Sequence, residues 1–242
     1  MLQSCGKDMM QLIADSMTEI FWTRRIPLDL KTGVIVPLFK LLHATREQAQ
    51  TMANYRPICL QSVLVKMATG LWVNRMDTGE DGGHTSHMQY GWKLQRSTQD
   101  AQRQLCNARA QADLGGPTLY GCFVDFKSAF DSIRPEVLQT IMECLMVHDE
   151  DVDFARELLR DVQFKEQTAA GTSSARRQDK GAPQGDSASP KLFSMEEEPM
   201  LRAMEAAAAK DKVSKEPIGM GYTVGEATLS ALVYADDVVV LA

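Results

Sequence analysis

The stretch that most constrains this chain is Tyr234-Ala235-Asp236-Asp237, set between the largely apolar runs Leu229 to Val233 and Val238 to Leu241. Two adjacent carboxylates in such surroundings repel each other and lose hydration, so the fold must supply a cation or expose them at a turn tip. β-rich runs on both sides make a hairpin the simplest solution. An ordinary acidic turn is the plain alternative, because Asp is common at hairpin tips. A second run, Leu119 to Phe126, reads as a buried strand and carries Asp125 near its end. A strand there can pair beside the hairpin and bring three carboxylates together. Hard divalent ions such as Mg2+ prefer oxygen ligands, and two of them roughly 3.5–4 Å apart can activate a hydroxyl and neutralise a leaving pyrophosphate. The competing role is capping of the next helix, which suits Asp131 better than Asp125.

The remaining composition narrows the setting. With 242 residues, 44% hydrophobic and 24% charged, the chain can bury a core as one substantial domain or two interlocked lobes. A formal charge of -6 excludes a grip on nucleic acid through bulk positive charge, so any polyanion site is local. Cys5, Cys59, Cys106, Cys122 and Cys144 contain no Cys-x-x-Cys pair and read as reduced, mostly packed thiols. Lys7, Asp8, Asp15 and Glu19 interrupt the region where a signal peptide needs an unbroken apolar stretch, and no run is long enough to span a membrane. An intracellular protein is expected, with nucleus and cytoplasm both open.

Periodicity predicts a first helix with Met9, Leu12, Ile13, Met17, Ile20 and Phe21 on its core face, and a strand at Val34 to Phe39. His43 to Asn54 reads as a loop or hairpin. Gln61 to Met76 reads as a helix burying Val63, Leu64, Met67, Leu71 and Trp72, followed by a connector containing Gly79, Gly82 and Gly83. Ser97-Thr98-Gln99-Asp100 has the pattern of a helix cap, and that helix ends at Gly115-Gly116-Pro117. Helices are expected at Pro135 to Val147, Val152 to Val162 and Ser187 to Lys210, with a hairpin at Thr168 to Lys180. Pro190 suits the start of the last helix, whereas Pro199 can kink it.

Several blocks in order resemble the reverse transcriptase domain of non-LTR, LINE-like retrotransposons. They are Pro37-Leu38-Phe39-Lys40, Asn54-Tyr55-Arg56-Pro57-Ile58, Gln89-Tyr90-Gly91-Trp92 with Arg96 to Ala101, Val124 to Ile133, Gly181 to Asp186 with Ser189-Pro190, and Tyr234 to Ala242. The resemblance covers the chain from about Ile26 onward. It implies an α+β fold of right-hand polymerase fingers and palm, with an antiparallel palm sheet backed by helices. Fingers would occupy 1–118, with 163–182 returning to them, and palm the rest of 119–242. It places no endonuclease or thumb within these residues, the chain stopping five residues after Asp237.

Carried over residue by residue, the resemblance makes Asp125, Asp236 and Asp237 the catalytic carboxylates and metal ligands, with the backbone carbonyl of Phe126 facing a metal. Lys40 and Arg56 would hold the triphosphate, and cations suit the charge that develops in phosphoryl transfer. Phe130 would lie beneath the incoming sugar and collide with a 2′-hydroxyl, against the plainer role of a core aromatic. Gln184 and Gly185 would lie against nucleotide and template. Tyr234, Ala235, Trp92 and Arg96 would stand near template or primer, with Trp92-Lys93 departing from the Phe-Arg common in the family. Implied partners are an RNA template, a DNA primer, dNTPs and the rest of a longer retroelement polyprotein; the implied cofactor is Mg2+, with Mn2+ as a substitute.

RNA-directed DNA synthesis is thus the expected activity, weak or silent in the isolated chain because it lacks a thumb. Two other classes compete: an inert retroelement remnant or binding module, and another palm-type enzyme such as an RNA-templated RNA polymerase or a nucleotide cyclase. Phe130 and the Tyr-Ala-Asp-Asp turn speak against the RNA polymerase; the Lys40, Arg56 and Gln184 blocks speak against the cyclase.

Overall fold

The computed structural model describes residues 6–40, 45–78, 84–214, 220–225 and 227–242. The expected connector glycines Gly79, Gly82 and Gly83, together with His43 and Cys5, lie outside them. In chain order, helix α1 (Lys7–Thr23) leads into strand β1 (Thr32–Phe39), and a short capped helix α2 (Arg46–Ala49) into β2 (Tyr55–Leu60). Helices α3 (Val63–Thr78) and α4 (Thr98–Asp113) precede β3 (Gly121–Asp125). Then come α5 (Ala129–Ser132), α6 (Pro135–Cys144) and α7 (Asp149–Leu159), followed by short strands β4 (Gln163–Thr168), β5 (Gly171–Thr172) and β6 (Arg176–Arg177). Helix α8 (Ala188–Ser214) carries Pro199 within it, and β7 (Tyr222–Val224), β8 (Ala227–Leu229), β9 (Ala231–Tyr234) and β10 (Asp237–Leu241) complete the chain. Among the described residues no helix is long and apolar enough to cross a membrane.

The chain divides into two compact units, Met1–Met76 with Phe130–Leu192 and Asp77–Ala129 with Phe193–Ala242. These boundaries follow compactness and cut the chain elsewhere than the functional division expected at 118/119, 163 and 182. In the first unit a mixed sheet runs β2-β1-β4-β5, with β1 antiparallel to β2 and parallel to β4. Gly33 is required there, because a Cβ would stand 2.5 Å from Cys59 Sγ and 3.1 Å from the Phe164 ring. Phe154 on α7 joins three helices: its ring stacks on Phe21 of α1 at 5.1 Å and meets Trp72 of α3 at 5.7 Å. Just before β1, the buried Lys31 ammonium is satisfied by Glu157 Oε1 at 2.6 Å and by the carbonyls of Glu157 and Arg160.

In the second unit a three-stranded antiparallel sheet, β3-β10-β9, lies between two apolar layers. Ala231, Val233, Val238 and Val240 face one layer, with Met88 and with Leu201 and Met204 of α8. Leu232, Val239 and Leu241 face the other, with Leu105 and Ala108 of α4 and Tyr222 of β7. Helix α4 is started by a capping box: Ser97 Oγ accepts from Asp100 N–H while the Asp100 carboxylate accepts from Ser97 N–H at 2.9 Å. The Ser97 hydroxyl also donates to that carboxylate at 2.7 Å, and this bond, aided by the one from Ser97 N–H, holds the Asp100 carboxyl below the usual range.

Five sequence expectations need correction. Of the cysteines expected to be mostly packed, Cys59 is buried, but Cys106, Cys122 and Cys144 are exposed. Strand β3 is exposed along its length rather than buried, with Phe123 76% exposed, because it forms the sheet edge and its apolar residues are covered on neither side as those of β10 are. Helix α1 buries only Met17 and Ile20 fully and exposes Met9 and Leu12, since its contact is made near its C-terminal end, where Phe21 meets Phe154. Helix α3 turns Val65, Ala68, Thr69, Trp72 and Met76 inward and leaves Val63 and Leu71 outside; small Ala68 and Thr69 permit close packing around Trp72. The expected loop before Asn54 contains α2, nucleated by a Thr45–Gln48 capping box, and Tyr55–Leu60 is a strand despite Pro57 because it occupies an edge position.

Phe154→Ala should cost about 3–5 kcal/mol, the range for emptying a buried aromatic site, as read by urea unfolding. Trp22→Ala, at an 87% exposed position on α1, should leave the unfolding midpoint within error.

Candidate active site

The β9–β10 hairpin closes on a two-residue loop, Ala235-Asp236, because Tyr234 and Asp237 are its last paired residues. On the other side of β10, Asp237 stands directly opposite Asp125 at the end of β3. Two of the three expected carboxylates therefore sit on facing positions of adjacent strands, with the third one residue away at the loop. Asp125 and Asp237 are exposed and Asp236 is half-buried. Like charges directly opposite are destabilising, and a cation relieves them. The donor set is all carboxylate oxygen, the chemistry hard divalent ions prefer. Among the described residues no three His, Cys, Asp or Glu side chains stand together in ligating geometry. Phe126 follows β3 directly, and its ring meets Phe193 of α8 edge-on at 6.1 Å. Beside the carboxylates a cleft of about 450 Å³ is lined by Leu105, Phe123, Leu232, Tyr234 and Val239, with Asp125 and Asp237 also on its wall.

The loop itself is held in an unusual conformation. Ala235 has φ +59°, a left-handed value that costs a residue with a Cβ about 1–2 kcal/mol. The segment before Trp92 packs against it: Tyr90 N–H donates to Val233 O at 2.7 Å and Val233 N–H to Met88 O at 3.0 Å, so residues 88–90 run alongside β9. From this segment Gln89 reaches the loop, accepting from Ala235 N–H at 3.0 Å and donating to Ala235 O at 3.2 Å. It also donates to Glu197 on α8 at 3.1 Å. Burial pushes the Glu197 carboxyl up to about 8, opposed by the bond from Gln89 and reinforced by the charge of Asp236. Gln89 and Glu197 were not singled out by sequence. The available signals were a lone amide ahead of Gly91 and an acid run, Glu196-Glu197-Glu198, inside a packed helix.

Arg96 is engaged within the same segment. Its guanidinium lies 4.9 Å from the Tyr90 ring centre and donates to the His87 carbonyl. Trp92 is exposed, with φ +54°, and Tyr234 is exposed at the end of β9.

The other expected residues belong to the first unit. Arg56 pairs with Leu38 in the β1–β2 ladder, one step before Phe39 and Tyr55, whose rings meet edge-on at 5.0 Å. Lys40 follows β1 and donates through Nζ to Ala53 O at 2.7 Å, across the same hairpin. Gln184 docks on β2, its carbonyl accepting from Cys59 N–H at 2.8 Å. Gly185 adopts φ +103°, and a Cβ there would come within 3.3 Å of Cys59 O, so glycine is required. Phe130 is tied to the same loop, its carbonyl accepting from Ala182 N–H at 2.9 Å.

Behind this loop Asp186 is buried, accepting from Ala188 N–H at 2.7 Å and Thr69 Oγ at 3.4 Å. Burial raises its carboxyl to about 6 against these bonds and the Lys66 charge. The Cys59 thiol is likewise raised, to about 11, by burial and then by Asp186.

An acid doublet on a tight hairpin, paired with an acid on the adjacent strand of a small helix-backed antiparallel sheet, is the arrangement expected of a palm-type polymerase. The truncated apo telomerase of Candida tropicalis overlays 93% of this chain and 47% of its own length, with a TM-score of 0.52 at 14% identity. The telomerase of that organism in complex with a TWJ fragment of telomeric RNA overlays 94% of this chain and 39% of its own, with a TM-score of 0.51 at 11% identity. At these identities the likeness concerns the fold. The chain belongs to the reverse transcriptase (RNA-dependent DNA polymerase) family, whose pattern matches residues 45–242. It is 33% identical over 107 residues to the retrovirus-related Pol polyprotein from the type-1 retrotransposable element R1 of Bradysia coprophila. The matched stretch is 44% of this chain and 10% of that polyprotein's length. Divalent metal ions are general to the family.

Asp186 supplies a pH test of the loop behind Gln184. Its folded-state value is raised above the ordinary 3.8 to about 6, so the stability it allows is present below pH 4 and lost as pH rises through 6. Asp186→Asn should remove that slope. Urea unfolding should show an advantage over the parent that is negligible at pH 4 and grows to about 3 kcal/mol by pH 7.

Proposed function

We propose that this domain joins deoxynucleotides to a DNA primer on an RNA template, with Asp125, Asp236 and Asp237 as the catalytic carboxylates. The observation that carries the reading is the facing register of Asp237 and Asp125 in a chain of the reverse transcriptase family. The primer 3′-hydroxyl oxygen bonds to the α-phosphorus of the dNTP, the bond to the bridging oxygen breaks, pyrophosphate leaves and the hydroxyl proton passes to water. Asp125, Asp236 and the carbonyl of Phe126 would hold Mg2+, or Mn2+ in its place, with Asp237 in support. Bound there, such ions neutralise charge on the attacking and leaving oxygens.

The chain's own groups do the rest. Lys40 and Arg56 hold the triphosphate, and Gln184 and Gly185 lie against the base pair being formed. Phe130 rejects a 2′-hydroxyl, while Tyr234, Ala235, Trp92 and Arg96 border template and primer. Fingers take 1–118 and 163–182, and palm the remainder. The domain works inside the cell, in nucleus or cytoplasm, as one piece of a retroelement polyprotein. The net charge of -6 accords with a weak grip on nucleic acid by this piece alone.

Primer extension on poly(rA)–oligo(dT) with Mg2+ or Mn2+ tests the assignment. The parent chain should incorporate dTTP, and Asp236→Ala should lower incorporation at least about 100-fold. A folded parent that binds the duplex without extending it would instead indicate an inert binding module. Phe130→Val should admit ribonucleotides about tenfold better relative to deoxynucleotides; unchanged sugar selectivity would remove the gate from Phe130.

A further inference from the structure

We infer that Gln89 is a positioning residue that clamps the Ala235-Asp236 loop in its working conformation. The side chain is 1% exposed, yet its amide is fully engaged. Oε1 accepts from Ala235 N–H at 3.0 Å and from Gly91 N–H at 2.8 Å, while Nε2 donates to Ala235 O at 3.2 Å and Glu197 Oε2 at 3.1 Å. Both backbone groups of one residue are thus gripped by one amide, as a neighbouring strand would grip them. That residue is Ala235, the left-handed position next to Asp236. A left-handed alanine persists only where its surroundings over-determine it, and these bonds do so.

The chemistry admits no ready replacement. Glutamate supplies the acceptor but no donor for Ala235 O or Glu197, and asparagine is one methylene shorter. The mount is rigid as well, because Gln89 lies in a segment bonded to β9 through Val233. Gly91 completes the arrangement: a Cβ there would stand 2.5 Å from Ala235 N and 3.0 Å from Gln89 Oε1. The Gln-x-Gly pattern at 89–91 is explained by this single contact, with Gln for the grip and Gly for the room. The N–H groups of Ala235 and Gly91, which can only donate, fix Oε1 on the loop side and leave Nε2 for Glu197, itself 5% exposed.

The inference rests on the proposed catalytic role of the neighbouring carboxylates, so its test includes measurements that do not need turnover. In the full chain, Gln89→Met keeps the side-chain length and removes every hydrogen bond. Amide hydrogen exchange should then speed up at least tenfold at Ala235 and Gly91 while Leu232, Val238 and Val239 stay protected. Mn2+ affinity, read by electron paramagnetic resonance, should fall at least threefold. In primer extension kcat should fall at least tenfold, with the dNTP KM within about threefold of the parent. Gly91→Ala, which leaves Gln89 intact and crowds it off the loop, should move the same readouts in the same direction and guards against a folding defect peculiar to the first variant. Unchanged Ala235 exchange in both variants overturns the clamp. Faster exchange with parental Mn2+ affinity overturns the positioning role and leaves a merely structural one. A parent chain that binds Mn2+ but extends no primer counts against the polymerase reading, while the exchange and Mn2+ results still decide the clamp.

Discussion

The pairing of β10 with β3 sets two negative charges face to face, and the rest of the second unit is arranged around keeping that register. Side chains alternate along a strand, so a slip of one residue would carry Val238 and Val240 out of one apolar layer and Val239 and Leu241 out of the other. Each fully buried aliphatic side chain contributes roughly 1.5–3 kcal/mol, whereas a like-charge cross-strand pair costs about 0.2–1 kcal/mol. The core therefore wins, and the acids are held opposite each other by residues that have no part in chemistry. Repulsion alone would not separate them, so the acids stay assembled without any partner.

What could be read from the residues follows the same logic. The meeting of Asp125 with Asp236-Asp237 was legible because each acid stands at the end of an apolar β-rich run, so antiparallel pairing of the runs brings the acids together. Burial was less legible than pairing: Phe123 and Val124 have the composition of an interior strand but belong to a sheet edge. Strand β2 was hidden by Pro57, since proline speaks against strand interiors and only an edge tolerates it. The inward face of α3 was misplaced because periodicity over Val63, Leu64 and Leu71 offers several apolar stripes, and the choice is made by Trp72 packing on Phe154. The role of Gln89 was not legible beyond its place in the block Gln89 to Trp92, because its essential partners are backbone atoms 146 residues away.

The residues expected around the nucleotide show a division of labour between side chains and backbone. Arg56 and Lys40 are brought to one hairpin end by an ordinary antiparallel ladder. Gln184, by contrast, is placed by its own carbonyl on Cys59 N–H and by a glycine that alone can take φ +103° against the Cys59 carbonyl. The buried Asp186 next in line then ties the loop to the start of α8 through Ala188 N–H. A loop so fixed at both ends loses little further entropy when a ligand arrives, the usual advantage of preorganisation.

The same reasoning explains why an alanine, rather than a glycine, can stand at the tip of the acid hairpin. Glycine would relieve the left-handed strain of about 1–2 kcal/mol, but it would also widen the unfolded and locally open ensembles by about 0.4–1 kcal/mol. Strain is the larger effect, so glycine would gain up to about 1 kcal/mol in stability. It would lose precision, because a glycine loop samples conformations that move Asp236 away from Asp125 and Asp237. Hydrogen bonds to both backbone groups of Ala235 shift the balance toward the single strained conformer. The loop's rigidity thus comes from a side chain planted on the neighbouring backbone segment, and the hairpin sequence alone would not provide it.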